Sequence, residues 1–278
     1  MPHTYEDRLL RVLAYIHDNP AGDLSLDTLA DVAAMSRFHW HRVFHAMTGE
    51  TCAKATRRIR LHRAACWLVQ TEWPVAEVAE KAGYGNLASF TRAFSDAYGH
   101  SPAAFRSRGE ESPSLLTVSK GTYPMQTVEI LDQPARRLAG MPHQGNYLEI
   151  GKVFEQLGAI FTSRQLWPHA DGMVGVYYDD PWSVPEPDLR SFGAVSVDDA
   201  FEMADPLSEM TLPAGRYAVM HYKGPYSDLK GAYDYLYGEW LPASKEEAAN
   251  HPPIEIYLNS PQEVPPEELL TDVCVPLK

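Results

Sequence analysis

The pattern of apolar positions changes near residue 109. Before this point apolar residues recur every three or four positions, as on one face of an α-helix. After it proline becomes frequent and short β-type runs appear, at residues 125–131, 173–178, 193–197, 217–222, 254–258 and 271–275. A polar stretch with glycine and proline separates the two patterns. We therefore predict a multidomain protein, with an all-α domain over residues 1–108, a linker over 109–122 and an α+β domain over 123–278.

Two helices joined by a tight turn are predicted between residues 25 and 48. Ser25 is suited to cap the first helix, which buries residues 26, 29, 30 and 33. The second helix runs from residue 36 to about 47, with Trp40, Val43 and Phe44 on its inward face. We expect the opposite face to point outward; it contains Arg37, Phe38, His41, Arg42 and His45. This arrangement is typical of a helix-turn-helix motif.

The motif occurs twice. At an offset of 49 residues Ala34, in the first turn, matches Gly83 in the second, and at an offset of 50 Arg42 matches Arg92. A continuous helical stretch over residues 54–70 lies between the two copies. The first domain therefore contains two helix-turn-helix units joined by one long helix.

Charge divides the chain in the same way as the apolar pattern. Residues 1–108 carry a net charge of +2 and residues 109–278 a net charge of −15, which together give −13. The acidic part is expected to repel nucleic acid and to favour cationic or neutral ligands.

Composition excludes several classes of protein. No apolar run approaches the roughly 20 residues that span a bilayer, and no signal peptide is visible, so we predict a cytoplasmic protein without membrane contact. Cys52, Cys66 and Cys274 form no C-x-x-C pair, which argues against a disulfide framework and a thiolate zinc site. His41 and His45 have a spacing that can hold a metal, but no third ligand is evident. Neither a metal nor a cofactor is predicted.

The second helix-turn-helix unit carries a family resemblance. The segments Gly-Tyr-Gly-Asn at 83–86, Phe-Thr-Arg-Ala-Phe at 90–94 and Gly-His-Ser-Pro at 99–102 resemble the AraC/XylS-type DNA-binding domain. The resemblance covers residues 8–108 and implies two recognition helices in successive major grooves of double-stranded DNA. The residues it assigns to DNA contact are Arg37, Phe38, His39, His41 and Arg42 on the first helix, and Asn86, Ser89 and Arg92 on the second.

The second domain is also duplicated. At an offset of 79 residues Arg137 matches Arg216 and Tyr147 matches Tyr226, and at an offset of 80 Gly175 matches Glu255. Each half reads as strand, glycine turn, helix and strand. We predict an α+β domain built from two pseudo-symmetric halves with a cleft between them.

This domain resembles the GyrI-like effector-binding fold. The resemblance rests on Gly-Val-Tyr-Tyr-Asp-Asp-Pro at 175–181, Gly-Pro-Tyr at 224–226 and Glu-Ile-Tyr-Leu-Asn at 255–259. It implies an aromatic cleft with a central glutamate, which in many members receives lipophilic cations. Strand alternation places Glu255 and Tyr257 on one face. The candidate ligand-binding residues are Glu255, Tyr257, Tyr147, Tyr226, Tyr177 and Trp182.

These features predict a transcription regulator that binds a DNA operator and responds to a small lipophilic cation. The order of the domains resembles that of Rob-type regulators, and RNA polymerase is a further candidate partner. One alternative is a hydrolase that uses Glu255 as a general base. Another is a ligand-independent regulator whose second domain docks a protein. Operator, effector, sign of regulation and oligomeric state are left open by the sequence.

Overall fold

The computed structural model describes residues 4–109 and 127–278. The described residues form two compact units: residues 4–34 with 48–109, and residues 35–47 with 127–278. The predicted linker, 109–122, lies outside the described residues except for Gly109. Seven helices precede it: α1 (Tyr5–Asp18), α2 (Leu26–Ala33), α3 (Arg37–Thr48), α4 (Cys52–Gln70), α5 (Val75–Lys81), α6 (Leu87–Tyr98) and α7 (Pro102–Arg108).

Both predicted helix-turn-helix units are present. The Ser25 hydroxyl accepts a hydrogen bond from the Thr28 amide and caps α2, as expected. The turn before α3 uses Ala34 in the left-handed conformation, at φ 53°. Its repeat mate Gly83 has φ 78°, and a Cβ there would lie 2.4 Å from the Pro20 carbonyl oxygen. Glycine is therefore required at the second turn for both its conformation and the lack of a side chain.

The second helix-turn-helix has its own apolar core. Helices α4 to α7 bury Leu61, Leu68, Val78, Phe90, Phe94 and Phe105 among others. The Arg106 guanidinium ties α7 to α4 and its exit, because it donates to the carbonyls of Leu68 at 2.9 Å and Trp73 at 2.6 Å. These contacts fix α6 and leave its other face in solvent.

The second unit contains one antiparallel sheet of eight strands in its described residues. The strands are β1 (Val128–Gln133), β2 (Arg136–Gln144), β3 (Ala170–Tyr177), β4 (Arg190–Val197), β5 (Ser208–Leu212), β6 (Gly215–Lys223), β7 (Ile254–Tyr257) and β8 (Leu270–Pro276). The helices are α8 (Gly151–Ser163), α9 (Leu229–Tyr235) and α10 (Leu241–Ser244), the last two joined by a π-helical turn, Leu236–Trp240.

The strand order confirms the predicted duplication. The sheet runs β1-β6-β8-β7-β3-β4-β2-β5, so each strand of one half has its counterpart at the mirrored place in the other. The pseudo-two-fold axis falls between β3 and β7, where Gly175 pairs directly with Glu255. The α+β fold with two related halves is as predicted.

The short apolar runs do not find every strand. Strand β5 has the sequence Ser-Glu-Met-Thr-Leu, and its polar residues hide it from a search for apolar runs. The predicted strand at 125–131 begins among residues that the structure does not describe and continues as β1 to Gln133. In the described residues no helix is both long and apolar enough to cross a bilayer.

Candidate functional site

A cavity of about 1240 Å³ opens in the second unit beside the central strands β3 and β7. All six residues predicted to bind the ligand line it, together with Arg42 and His45 of α3. A concave cavity with aromatic walls and a mostly apolar surface is typical of a small-molecule site. The six predicted residues alone are up to 110 positions apart in the sequence, and the structure brings them together in one cavity.

Glu255 lies at the base of this cavity and is only 5% exposed. Its carboxylate accepts hydrogen bonds from the hydroxyls of Tyr257 at 2.8 Å and Tyr233 at 3.0 Å. The Tyr177 and Tyr257 hydroxyls lie 2.6 Å apart. Because the Tyr257 hydroxyl donates its hydrogen bond to Glu255, the Tyr177 hydroxyl donates to Tyr257. The three groups form a hydrogen-bonded chain that ends on the carboxylate.

Burial raises the pKa of the Glu255 carboxyl, while hydrogen bonds from Tyr257 and Tyr233 and the charge of Arg42 oppose part of the rise. Within residues 4–109 and 127–278 Glu255 forms no ion pair. Burial and the nearby carboxylate raise the pKa of Tyr177, Tyr233 and Tyr257 well above the usual value, so these hydroxyls keep their protons. The site therefore offers a desolvated acidic group held by neutral donors.

Glycine at position 175 leaves room for the hydroxyls of Tyr177 and Tyr257. A Cβ at this position would lie 2.9 Å from the Tyr257 hydroxyl and 2.9 Å from the Tyr177 ring. The symmetry mate of the carboxylate is thus an empty position that the two hydroxyls fill. A side chain at residue 175 would push the hydrogen-bonded chain away from Glu255.

Two aromatic pairs follow the same pseudo-symmetry. Tyr147 meets Tyr177 edge to face, with ring centroids 4.9 Å apart, and Tyr226 meets Tyr257 in the same way at 5.4 Å. Trp182 is 46% exposed and stacks on His45 at a ring distance of 5.0 Å. Aromatic faces and edges that converge on a carboxylate suit a cation with apolar bulk.

Sequence reasoning missed the helical wall of the cavity. Tyr233 and Tyr237 lie one turn apart and stack at 6.2 Å, and both line the cavity. The offset of 79 residues pairs them with Phe154 and Gly158 of α8, which also line it. Extending the repeat along the two helices was therefore the signal that could have found them.

The residues predicted to contact DNA fall into two groups. Arg37, Asn86, Ser89 and Arg92 are exposed, and Phe38 and His41 are half-buried. Asn86 also caps α6, since its side-chain oxygen accepts from the Ser89 amide at 2.8 Å. His39 is fully buried and Arg42 is 8% exposed. The expectation that the face with Arg42 points to solvent is not met in this structure, because α3 packs in the second unit; DNA contact by these residues stays a prediction.

Family comparison agrees with this geometry. The model of the GyrI-like small molecule binding domain matches residues 126–278, more than half of the chain. The chain belongs to the GyrI-like family. A helix-turn-helix domain model matches residues 29–108 ahead of the GyrI-like domain, and this part is of the AraC type.

Three curated relatives illustrate the two parts. A DNA gyrase inhibitor from Yersinia enterocolitica is 32% identical over 136 residues, which are 47% of this chain and 85% of that protein. The transcriptional regulator Rob of Salmonella typhimurium is 34% identical over 89 residues, 32% of this chain and 31% of Rob. The bifunctional transcriptional activator and DNA repair enzyme AdaA of Bacillus subtilis is 33% identical over 95 residues, 34% of this chain and 45% of AdaA. This chain therefore covers less than half the length of Rob and less than half the length of AdaA.

Proposed function

We propose that this protein is a one-component transcription regulator whose GyrI-like domain binds a lipophilic cation. DNA is read by the helix-turn-helix units, with α3 and α6 as recognition helices. One observation carries the ligand class: the Glu255 carboxylate, 5% exposed and without an ion pair in the described chain, lies in a cavity walled by tyrosines. A buried carboxylate gains most from a partner of opposite charge.

The rest of the cavity supports a cation rather than an anion. Asp180 is committed to its own loop, because its two oxygens accept from the Trp182 amide and the Ser183 hydroxyl. Asp234 pairs with Lys230 at 2.6 Å. The lining residues Glu155 and Glu186 are exposed. Glu255 is therefore the buried acidic group whose hydrogen-bond partners are hydroxyls, and an incoming cation would not have to displace a lysine from it.

The experiment compares a charged and a neutral ligand of similar bulk. Tetraphenylphosphonium and triphenylphosphine oxide are titrated calorimetrically into the full chain and into Glu255→Gln, which keeps the shape and removes the charge. Loss of a charge pair in a partly desolvated site should weaken phosphonium binding by about 1–3 kcal/mol. Binding of the neutral oxide should change by less than about 0.5 kcal/mol.

Equal losses for both ligands would mean that Glu255 shapes the cavity without recognising charge.

The same two proteins are used to test the hydrolase alternative. An ester-bearing cation that is cleaved by the wild type but not by Glu255→Gln would identify Glu255 as a general base.

Sites selected from a randomised duplex pool would define the operator, and transcription assays with RNA polymerase would give the sign of regulation.

A further inference from the structure

Arg42 is a recognition-helix arginine whose guanidinium lies inside the GyrI-like cavity. It is 8% exposed and donates to the carbonyl oxygens of Asp179 at 2.7 Å and Tyr177 at 3.3 Å, at the end of β3. A third hydrogen bond joins it to the Phe38 carbonyl of its own helix. Its repeat mate Arg92 is exposed. The two arginines thus share a sequence context and differ in what surrounds them.

The guanidinium occupies a cation site. Its central carbon lies 6.0 Å from the ring centroid of Tyr233 and 6.0 Å from that of Tyr237, within the range of cation–π attraction. Tyr233 also donates to Glu255, so the positive charge and the carboxylate share one aromatic wall. These are the groups that the proposed function assigns to a lipophilic cation.

Further contacts seat α3 in this position. The His39 ring lies 2.8 Å from the Tyr237 hydroxyl and stacks on its ring at 5.6 Å. The Ser36 hydroxyl donates to the Asn250 side chain at 3.0 Å. At Gly238 a Cβ would lie 2.9 Å from the Ala46 carbonyl oxygen, so the helix approaches the π-helical turn as closely as glycine allows. Specific hydrogen bonds and close packing thus hold α3 in this position.

From this we propose that Arg42 is a tethered competitor of the effector: its guanidinium holds α3 in the GyrI-like cavity, and a lipophilic cation that enters displaces it and frees α3 to read DNA. The inference rests on the proposed function and adds how that site regulates. Two cations in one weakly solvated cavity repel each other, so seating of Arg42 and binding of the effector oppose each other. By linkage, DNA that captures the free helix strengthens effector binding by the same factor.

The test uses the full chain and tetraphenylphosphonium. Arg42→Met removes the charge and keeps an unbranched side chain, and should raise phosphonium affinity by about 10-fold, within the range of ordinary coupling energies. Triphenylphosphine oxide affinity should change less. Arg92→Met is the matched control for phosphonium binding, because it changes the equivalent arginine outside the cavity. In parallel, amide exchange should show that phosphonium lowers the protection of α3 and leaves that of α6 unchanged.

Gly238→Ala provides a second route that leaves every charge in place. The added methyl group should unseat α3, lower its exchange protection and raise phosphonium affinity. If phosphonium binds in a Glu255-dependent way, while Arg42→Met and Gly238→Ala leave both its affinity and α3 protection unchanged, the competitor proposal is overturned and the cation site stands. If phosphonium binds neither the wild type nor Arg42→Met, cation sensing fails, and the proposal with it.

Discussion

At the residue scale the proposed competition depends on a pair of duplicated arginines. Arg42 and Arg92 are fifty positions apart and belong to equivalent helices. Arg92 lies on the exposed face of α6, whereas Arg42 is held by main-chain carbonyls and tyrosine rings. Under the competitor proposal, Arg92 is available to DNA at all times, and Arg42 is available only when α3 leaves the cavity.

Arg92→Ala should weaken binding to a selected operator by about 1–3 kcal/mol, because a guanidinium that chelates a base edge loses two hydrogen bonds at once. Specificity at that base pair should relax. Gel-shift titrations at fixed salt, on the selected site and on a scrambled duplex, measure both effects. Unchanged affinity for both duplexes would remove Arg92 from the interface.

At the element scale α3 is the helix for which we propose two sets of partners, the GyrI-like cavity and DNA. Its apolar face buries Trp40, Val43 and Phe44, as the periodicity predicts. Its polar face carries the side chains assigned to DNA, and it is this face that holds His39 and Arg42 against the GyrI-like domain. Seating of α3 should therefore respond to anything that changes the charge of that face.

Protonation of His39 is such a change. Burial, with the charges of Arg42 and His251, lowers the pKa of His39 to about 3, while the carbonyls of His251 and Ala249 oppose the shift. The ring is thus neutral when seated, and an ordinary histidine titrates near 6.5. Seating of α3 should be intact above pH 6.5 and should weaken by up to about tenfold for each pH unit below it.

Amide exchange of α3, normalised to α6 in the same sample, measures this dependence between pH 7.5 and pH 5. The groups that face His39 are the Tyr237 hydroxyl, Arg42 and His251. His39→Gln, which cannot titrate, should flatten the profile. A profile equally steep in His39→Gln would assign the effect to another group.

Much of this element-level picture was accessible from the sequence. Both duplications, the caps at Ser25 and the turns at Ala34 and Gly83 follow from residue type and spacing. The register that pairs Gly175 with Glu255 follows from the offset of 80 residues. The position of α3 in the cavity does not follow from the sequence. Periodicity shows which face of a helix is apolar, but it does not show what covers the polar face. Tyr237 is 198 positions from His39, and no local pattern joins them.

At the scale of the whole molecule charge is distributed unevenly. Residues 1–108 carry a net +2 and residues 109–278 a net −15. The acidic part repels the DNA phosphates over a range set by the Debye length, about 10 Å at 0.1 M salt. The full chain should therefore rely on well-placed arginines rather than on total charge for DNA affinity.

A fragment of residues 1–108 should fold and bind the operator of the full chain, since its second helix-turn-helix has its own core. Without the acidic part it should bind DNA more tightly at 0.05 M salt, and the difference should shrink at 0.3 M. Tetraphenylphosphonium should not affect it. Fluorescence anisotropy on labelled duplexes provides the measurement, and a folded fragment that ignores the operator would show that the GyrI-like domain organises part of the DNA surface.

The pairing of Glu255 with Gly175 has a consequence for what the cavity can distinguish. Two identical halves would form a cavity in which a ligand could bind in either of two orientations. The central register pair breaks this equivalence, since it has an acid on one strand and bare backbone on the other. We therefore expect a ligand with a cationic head and an apolar tail to bind in one orientation. The duplication supplies the walls of the cavity, and the carboxylate at its central register pair gives the cavity a polarity.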